Sequence, residues 1–150
     1  MNVMDKKFDR AREDLGNIVH MEHVNVTVPQ QEPATLFYVV GLQYTRDPYL
    51  MVGLNNMWVN IGRSQMHLPS RQPVAQRLRG TIGLILPDLD RAERSLASVR
   101  TDLAGTAFGF KRVDGALEVT CPWGNQFRCH APDPAYGACL LYTSPSPRDS

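Results

Sequence analysis

The stretch HVNVTVP (His23–Pro29) alternates strictly, with Val24, Val26 and Val28 on one face and His23, Asn25 and Thr27 on the other. Successive strand residues point to opposite faces, so this is a half-buried strand whose second face is polar. Downstream, QEPATLFYVV (31–40) reads as a helix: Pro33 is tolerated in its first turn and Gly41 ends it. Three short strand candidates come next, Tyr49–Leu54, Met57–Ile61 and Gln65–Leu68. Asn55-Asn56 and Gly62-Arg63-Ser64 supply turns between them, which predicts a meander.

Residues 70–79 (SRQPVAQRLR) are polar and contain Pro73, as a linker would. Beyond them the pattern recurs. TIGLIL (Thr81–Leu86) is an apolar strand, and Leu89, Ala92, Leu96 and Val99 form one stripe of a helix over about 89–99. Phe108–Arg112, Ala116–Thr120 and Gln126–His130 complete a second meander, with a tight turn at Cys121-Pro122-Trp123-Gly124-Asn125. Pro29 and Pro87 hold the same place in each unit, 58 positions apart (87 − 29). Two copies of so long a period indicate a duplicated module, not a solenoid, which needs three or more repeats.

Upstream, Asp5–Leu15 carries Phe8, Ala11 and Leu15 at helical spacing before Gly16. This predicts an amphipathic helical extension over residues 1–16, packed on the outside of the domain. The 150-residue chain is 43% hydrophobic with a formal net charge of +1. A near-neutral balance without a basic block offers no footprint for nucleic acid or an anionic membrane. No apolar run reaches the roughly 18 residues needed to span a bilayer. The polar N-terminus does not read as a signal peptide, and three cysteines without CxxC spacing suggest neither a disulfide framework nor a zinc knuckle. A cytoplasmic setting is the expectation.

A strand, a helix and a three-stranded meander, twice over, resemble the vicinal oxygen chelate superfamily of glyoxalase, bleomycin-resistance and extradiol dioxygenase proteins. The resemblance rests on HVNVTVP, TIGLILPDLDRAERSL and LEVTCPWGNQFRCHAP and covers about residues 17–132. It implies an α+β fold in which two βαβββ modules, about 17–70 and 79–132 within a domain spanning 17–134, form a curved mixed sheet around a pocket. Residues 138–150, ACLLYTSPSPRDS, depart from this grammar, and LYTSPSPRD resembles a translated sequencing adaptor. They are set aside as a non-native tail, the other reading being a genuine Ser/Pro-rich terminus. On the first reading the natural chain is truncated and continues past Gly137, and the bacterial group it most resembles carries a second such domain.

Alternation assigns the faces. His23, Asn25 and Thr27 face the cavity from the first strand and Gln65 and His67 from the fourth. Thr81 and Gly83 do so from the fifth, and Gln126, Arg128 and His130 from the eighth. Glu22 falls by parity on the face opposite His23, and the direction of Glu118 is open. The resemblance places the family's four metal-ligand positions at His23, His67, Thr81 and Arg128. A guanidinium is always protonated and cannot ligate, so only His23 and His67 remain as candidate metal ligands. Two imidazoles fall short of a three-ligand zinc site or a two-His-one-carboxylate iron site. No cofactor is firmly implied; a divalent metal is the one the resemblance allows.

The expected ligand pocket is therefore His23, Asn25, Gln65, His67, Thr81, Arg128 and His130, with no catalytic residue assigned. Such a set suits a small anion gripped by a forked guanidinium; the alternative is that Arg128 reaches a rim carboxylate and the histidines bond to backbone. Trp58 and Trp123 read as packing residues, Met51, Met57 and Met66 as core or interface, and Cys121 and Cys129 as buried thiols. The charges from Asp88 to Arg94 read as a capped, solvated helix start. No Ser-His-Asp signature, P-loop or GxGxxG is present. Three functions compete: a metal-dependent lyase, isomerase or dioxygenase, a metal-free sequestering protein, and a half that completes a partner domain's site. The expected partners are a small-molecule ligand and either a second copy, as a homodimer, or a missing second domain of the same kind.

Overall fold

The computed structural model describes residues 21–50 and 55–134, and the backbone of 141–144. The first module runs β1 (His23–Asn25), α1 (Gln31–Ala34), a π-helical continuation (Thr35–Gly41), β2 (Thr45–Arg46), β3 (Asn56–Ile61) and β4 (Ser64–Pro69). The second runs β5 (Thr81–Ile85), α2 (Leu89–Ser98), β6 (Gly109–Val113), β7 (Ala116–Thr120) and β8 (Gln126–His130). The first sheet has the order β1-β4-β3-β2 and the second β6-β7-β8-β5, with β9 (Leu141–Ser144) on the outer edge of β5. In both, the first strand of the module lies parallel to the last and the meander is antiparallel. This is the expected duplicated α+β architecture, built as two open sheets.

One strand differs from the sequence reading. The strand that opens the first meander is Thr45–Arg46, paired with Asn60 and Val59, and not Tyr49–Leu54. Asp47 causes the difference. Its Oδ1 accepts the backbone N–H groups of Tyr49 (2.8 Å) and Leu50 (2.9 Å), bending the chain away from the sheet just after β2. Tyr49 is consequently 91% exposed. Residues 51–54, the proposed helix over 5–15, and Cys139 lie outside the described residues. The segment 138–150, expected to stand apart from the fold, contributes backbone pairing of Leu141–Ser144 antiparallel to Thr81–Leu84.

The helix of the first module is expected over 31–40 but turns π-helical after Ala34, Leu42 N–H donating to the carbonyl five residues back at Phe37 (2.9 Å). The wider turn carries two consecutive aromatics, Phe37 and Tyr38, into the core, both fully buried. Phe37 then meets Phe127 and Phe108 of the second module at centroid distances of 5.6 and 6.0 Å. Asp88 caps α2 by accepting the Arg91 N–H (2.8 Å), and Leu89, Ala92 and Leu96 of α2 are buried. The two helices approach at Gly41, where a Cβ would stand 3.3 Å from Leu96 Cδ2. One apolar core therefore runs through both modules.

The linker is fastened as well as polar. Gln76 N–H donates to Thr27 O (3.0 Å) and its Oε1 accepts from Thr27 N–H (3.2 Å), tying it to the end of the first strand. Leu78 N–H donates to Asn125 Oδ1 (2.8 Å) and Asn125 Nδ2 donates to Gln76 O (2.9 Å), tying it to the β7–β8 turn. Asn125, at 3% exposure, is the buried polar side chain among the described residues.

Candidate functional site

Val26 and Val28, just past β1, are buried with Met66 and Leu68 of β4 and Phe127 and Cys129 of β8, and Val24 of β1 is half-buried against the same core. The residues between them lie on the opposite face, as alternation requires. On the first sheet this polar face brings together His23 and Gln65, then Asn25 and His67, as parallel neighbours, with Trp58 and Asn60 across from His67 and Gln65. On the second sheet Thr81 neighbours Gln126, Gly83 neighbours Arg128, and Glu118 and Thr120 lie across from Arg128 and Gln126. His67 and Arg128 are thus equivalent positions of the two modules, as are His23 and Thr81.

His67 is held on every side. Its Nδ1 lies 2.7 Å from Asn25 Oδ1, its Nε2 contacts Asn56 Oδ1, and its ring stacks on Trp58 at 4.2 Å with an interplanar angle of 11°. His23 meets the edge of Trp58 at 5.1 Å and engages Glu22 through Nδ1. The parity assignment of Glu22 is therefore overturned: Glu22 precedes the start of β1 and is exposed, so pleat alternation does not bind its side chain. Gln65 Nε2 donates to Asp47 Oδ2 (2.7 Å) and Asn60 Oδ1 (2.8 Å). The backbone N–H donors of Leu50 and Tyr49 most strongly, then the Asn60 and Gln65 side chains, hold the Asp47 carboxyl below the usual range.

On the second sheet Arg128 Nη1 donates to Glu118 Oε1 at 2.7 Å, and Lys111 lies 3.2 Å from Glu118 Oε2. The open direction of Glu118 is settled: it points to the polar face. Thr120 Oγ1 meets Gln126 Oε1 at 3.0 Å. Burial, then the nearby charges of His23 and Arg71, lower the His67 pKa; burial, then Arg128, lower that of His130.

These contacts test the metal expectation. Of the two candidate ligands, His67 faces an asparagine Oδ1 at each ring nitrogen; the neutral ring donates to one of them, and its other nitrogen keeps its lone pair. Arg128 supplies a paired cation where a carboxylate ligand would stand. Among the described residues no three His, Cys, Asp or Glu side chains converge as a cation site. With Thr81 and the paired Arg128 at the equivalent positions of the second module, the two imidazoles fall short of a three-ligand site.

Trp58 belongs to this face, although read by itself as a packing residue. The signal was present: Met57, Val59 and Ile61 are the apolar set of β3, which puts Asn56, Trp58 and Asn60 on the other side. The cysteines are buried thiols as expected. Burial raises the Cys121 pKa and pushes Cys129 up to about 12, leaving neither nucleophilic near neutrality.

A cavity of about 770 Å³ lies elsewhere, between the modules. Leu42, Tyr44, Ile61, Ile85, Leu86 and Pro132 form its walls, and none of the expected pocket residues lines it.

Comparison with solved structures identifies the architecture. A putative glyoxalase family protein from Bacillus anthracis superposes with a TM-score of 0.56 at 18% identity, over 79% of this chain and 98% of that one. The fold is the glyoxalase fold. Lactoylglutathione lyase from Agrobacterium tumefaciens gives a TM-score of 0.56 at 10% identity over 83% and 100%. The fosfomycin resistance protein FosX from Listeria monocytogenes gives 0.57 at 13% over 78% and 94%. A scan against protein-family models and a search of curated proteins find no match. At these identities the glyoxalase-like likeness establishes architecture, and chemistry must be argued from the site. No helix among the described residues is long and apolar enough to cross a membrane.

Proposed function

We propose that this glyoxalase-like domain binds a small, planar, anionic molecule on the polar faces of its sheets without a resident metal ion. The observation that carries the reading is the Trp58–His67 stack, 4.2 Å apart and clamped by Asn25 and Asn56. Preorganised aromatic planes bind flat ligands with little entropy lost on ordering. The Arg128 guanidinium on this face favours a ligand of negative charge. His23, Gln65, Thr81, Arg128 and His130 provide polar contacts around it, with Arg128 able to exchange Glu118 for a ligand carboxylate.

Titration calorimetry with a panel of small aromatic carboxylates, and their uncharged amides as controls, tests the proposal. Binding of carboxylates over amides, weakened by about ten-fold or more in Trp58→Leu, is expected from the ~1–3 kcal/mol worth of an aromatic stacking contact. Arg128→Ala weakens binding further if the ligand reaches the second sheet. Stoichiometric zinc, iron, manganese or nickel in the purified protein, lost in His23→Ala, would overturn the reading and restore a metal-dependent lyase, isomerase or dioxygenase.

A further inference from the structure

We infer that the cavity between the two modules is a second ligand site, for an uncharged, largely apolar small molecule that carries a polar group at one end. Its volume, about 770 Å³, falls within the roughly 300–1,000 Å³ typical of pockets that take small organic ligands. Leu42 and Ile61 wall it from the first module and Ile85, Leu86 and Pro132 from the second, so an occupant touches both. Moving an apolar body from water onto such walls is favourable. Asp133 is the one charged side chain among the described residues that line it. With a carboxylate and no cation in the lining, the cavity disfavours an anion.

Consecutive residues supply the polar contacts. Gln43, Tyr44 and Thr45 line the cavity and carry a carboxamide and two hydroxyls, and none of these groups has a hydrogen-bond partner among the described residues. Gln43 and Thr45 are exposed, whereas the Tyr44 hydroxyl is buried. All are neutral, which suits a hydrogen-bonding group without charge. The backbone holds this run at a conformational cost. Leu42 N–H donates to Phe37 O and Tyr44 N–H to Tyr38 O, both at 2.9 Å, which pins Gln43 between them at φ 60°, in the left-handed region that favours glycine. Non-glycine residues kept in such conformations concentrate at ligand sites. The cavity shares no residue with the Trp58–His67 stack or the Arg128–Glu118 pair, so it stands independently of the polar-face reading.

The test titrates the full chain with two dyes of the same aromatic body, uncharged phenylnaphthylamine and its anionic counterpart anilinonaphthalene sulfonate. The neutral dye is expected to bind saturably, at about one per chain and about ten-fold or more tighter than the sulfonate, whose charge meets Asp133 and no cation. Leu86→Trp fills the cavity, and Gln43→Gly removes the carboxamide while relieving the left-handed backbone. Each should weaken the neutral dye about five-fold or more. The melting temperature of Gln43→Gly should hold or rise, so its lost affinity is not lost folding, and it decides the matter if Leu86→Trp fails to fold. Trp58→Leu should leave the neutral dye's affinity unchanged. Absence of saturable binding, equal affinity for the two dyes, or undiminished binding in Gln43→Gly would each overturn the assignment. Weakened binding in Trp58→Leu would overturn it too, by placing the dye on the polar face.

Discussion

Asn125→Ala should be among the most damaging single changes outside the apolar core. Asn125 is buried in the turn between β7 and β8, and its amide holds the linker twice: it accepts from Leu78 N–H and donates to Gln76 O. Its backbone closes the turn, with Cys121 N–H donating to Asn125 O (2.9 Å) and Asn125 N–H donating to Cys121 Sγ (3.2 Å). Removing the amide deletes two hydrogen bonds, each worth about 1 kcal/mol net, and leaves the linker N–H and C=O short of partners at about 1 kcal/mol or more apiece. Water admitted by the truncation recovers part of that, so a loss of about 2–4 kcal/mol is expected. With a urea m-value of about 2 kcal/mol/M, the unfolding midpoint should fall by about 1–2 M with the slope unchanged. Asn125→Asp keeps the acceptor for Leu78 but sets a carboxylate against Gln76 O. It should lose as much at neutral pH and recover as the pH falls and the carboxyl protonates. A midpoint shift under about 0.3 M for the alanine variant would refute the claim that this side chain fastens the linker.

Other consequences follow from groups already placed. Tyr38 and Tyr44 hydroxyls are fully buried without hydrogen-bond partners, and burial pushes both well above the ordinary phenol range. Tyr44→Phe and Tyr38→Phe should therefore be neutral or raise the melting temperature; a loss above about 1 kcal/mol would show that a buried water satisfies them. His67 and His130 both have pKa values below the ordinary 6.5. In the window just below that value the unfolded chain binds more protons than the folded one, so stability falls as pH drops from 7.5 toward 5.5. A His67→Gln, His130→Gln double variant should show a flatter melting profile over that range, and an equally steep profile would count against these two groups. Glu118→Gln frees Arg128 and Lys111 from their shared carboxylate. It should tighten binding of the aromatic carboxylates several-fold, with the gain screened away by added salt; no change would place the ligand on the first sheet alone.

Strict alternation in HVNVTVP and in the strands following it was enough to fix the faces, because a one-residue slip would bury polar side chains. The π-helical continuation was not legible. A run such as Thr35–Val40 fits ordinary helical spacing, and only the demand of Phe37 and Tyr38 for the same core selects the wider turn. The short β2 was missed for a related reason: Asp47 bends the chain through side-chain bonds to backbone that spacing alone does not reveal. Trp58 was within reach of the parity argument and Glu118 was not, since its meaning depends on lying directly across from Arg128. The cavity between the modules has no local signature, because its walls come from four separated segments.

Comparing equivalent positions explains why the two halves of the polar surface differ in chemistry. In the first module the inward position of the last strand is an imidazole, flanked by an asparagine on β1 and a tryptophan on β3. In the second it is a guanidinium, flanked by a glycine on β5 and a glutamate on β7. Each central group is satisfied by the neighbours its own module supplies: an aromatic plane with amides in one, an ion pair beside a glycine in the other. An arginine, always protonated, cannot ligate a metal. The duplicated scaffold thus supplies matching positions, and the cross-strand partner at each sets its surroundings: an aromatic stack at His67 and an ion pair at Arg128.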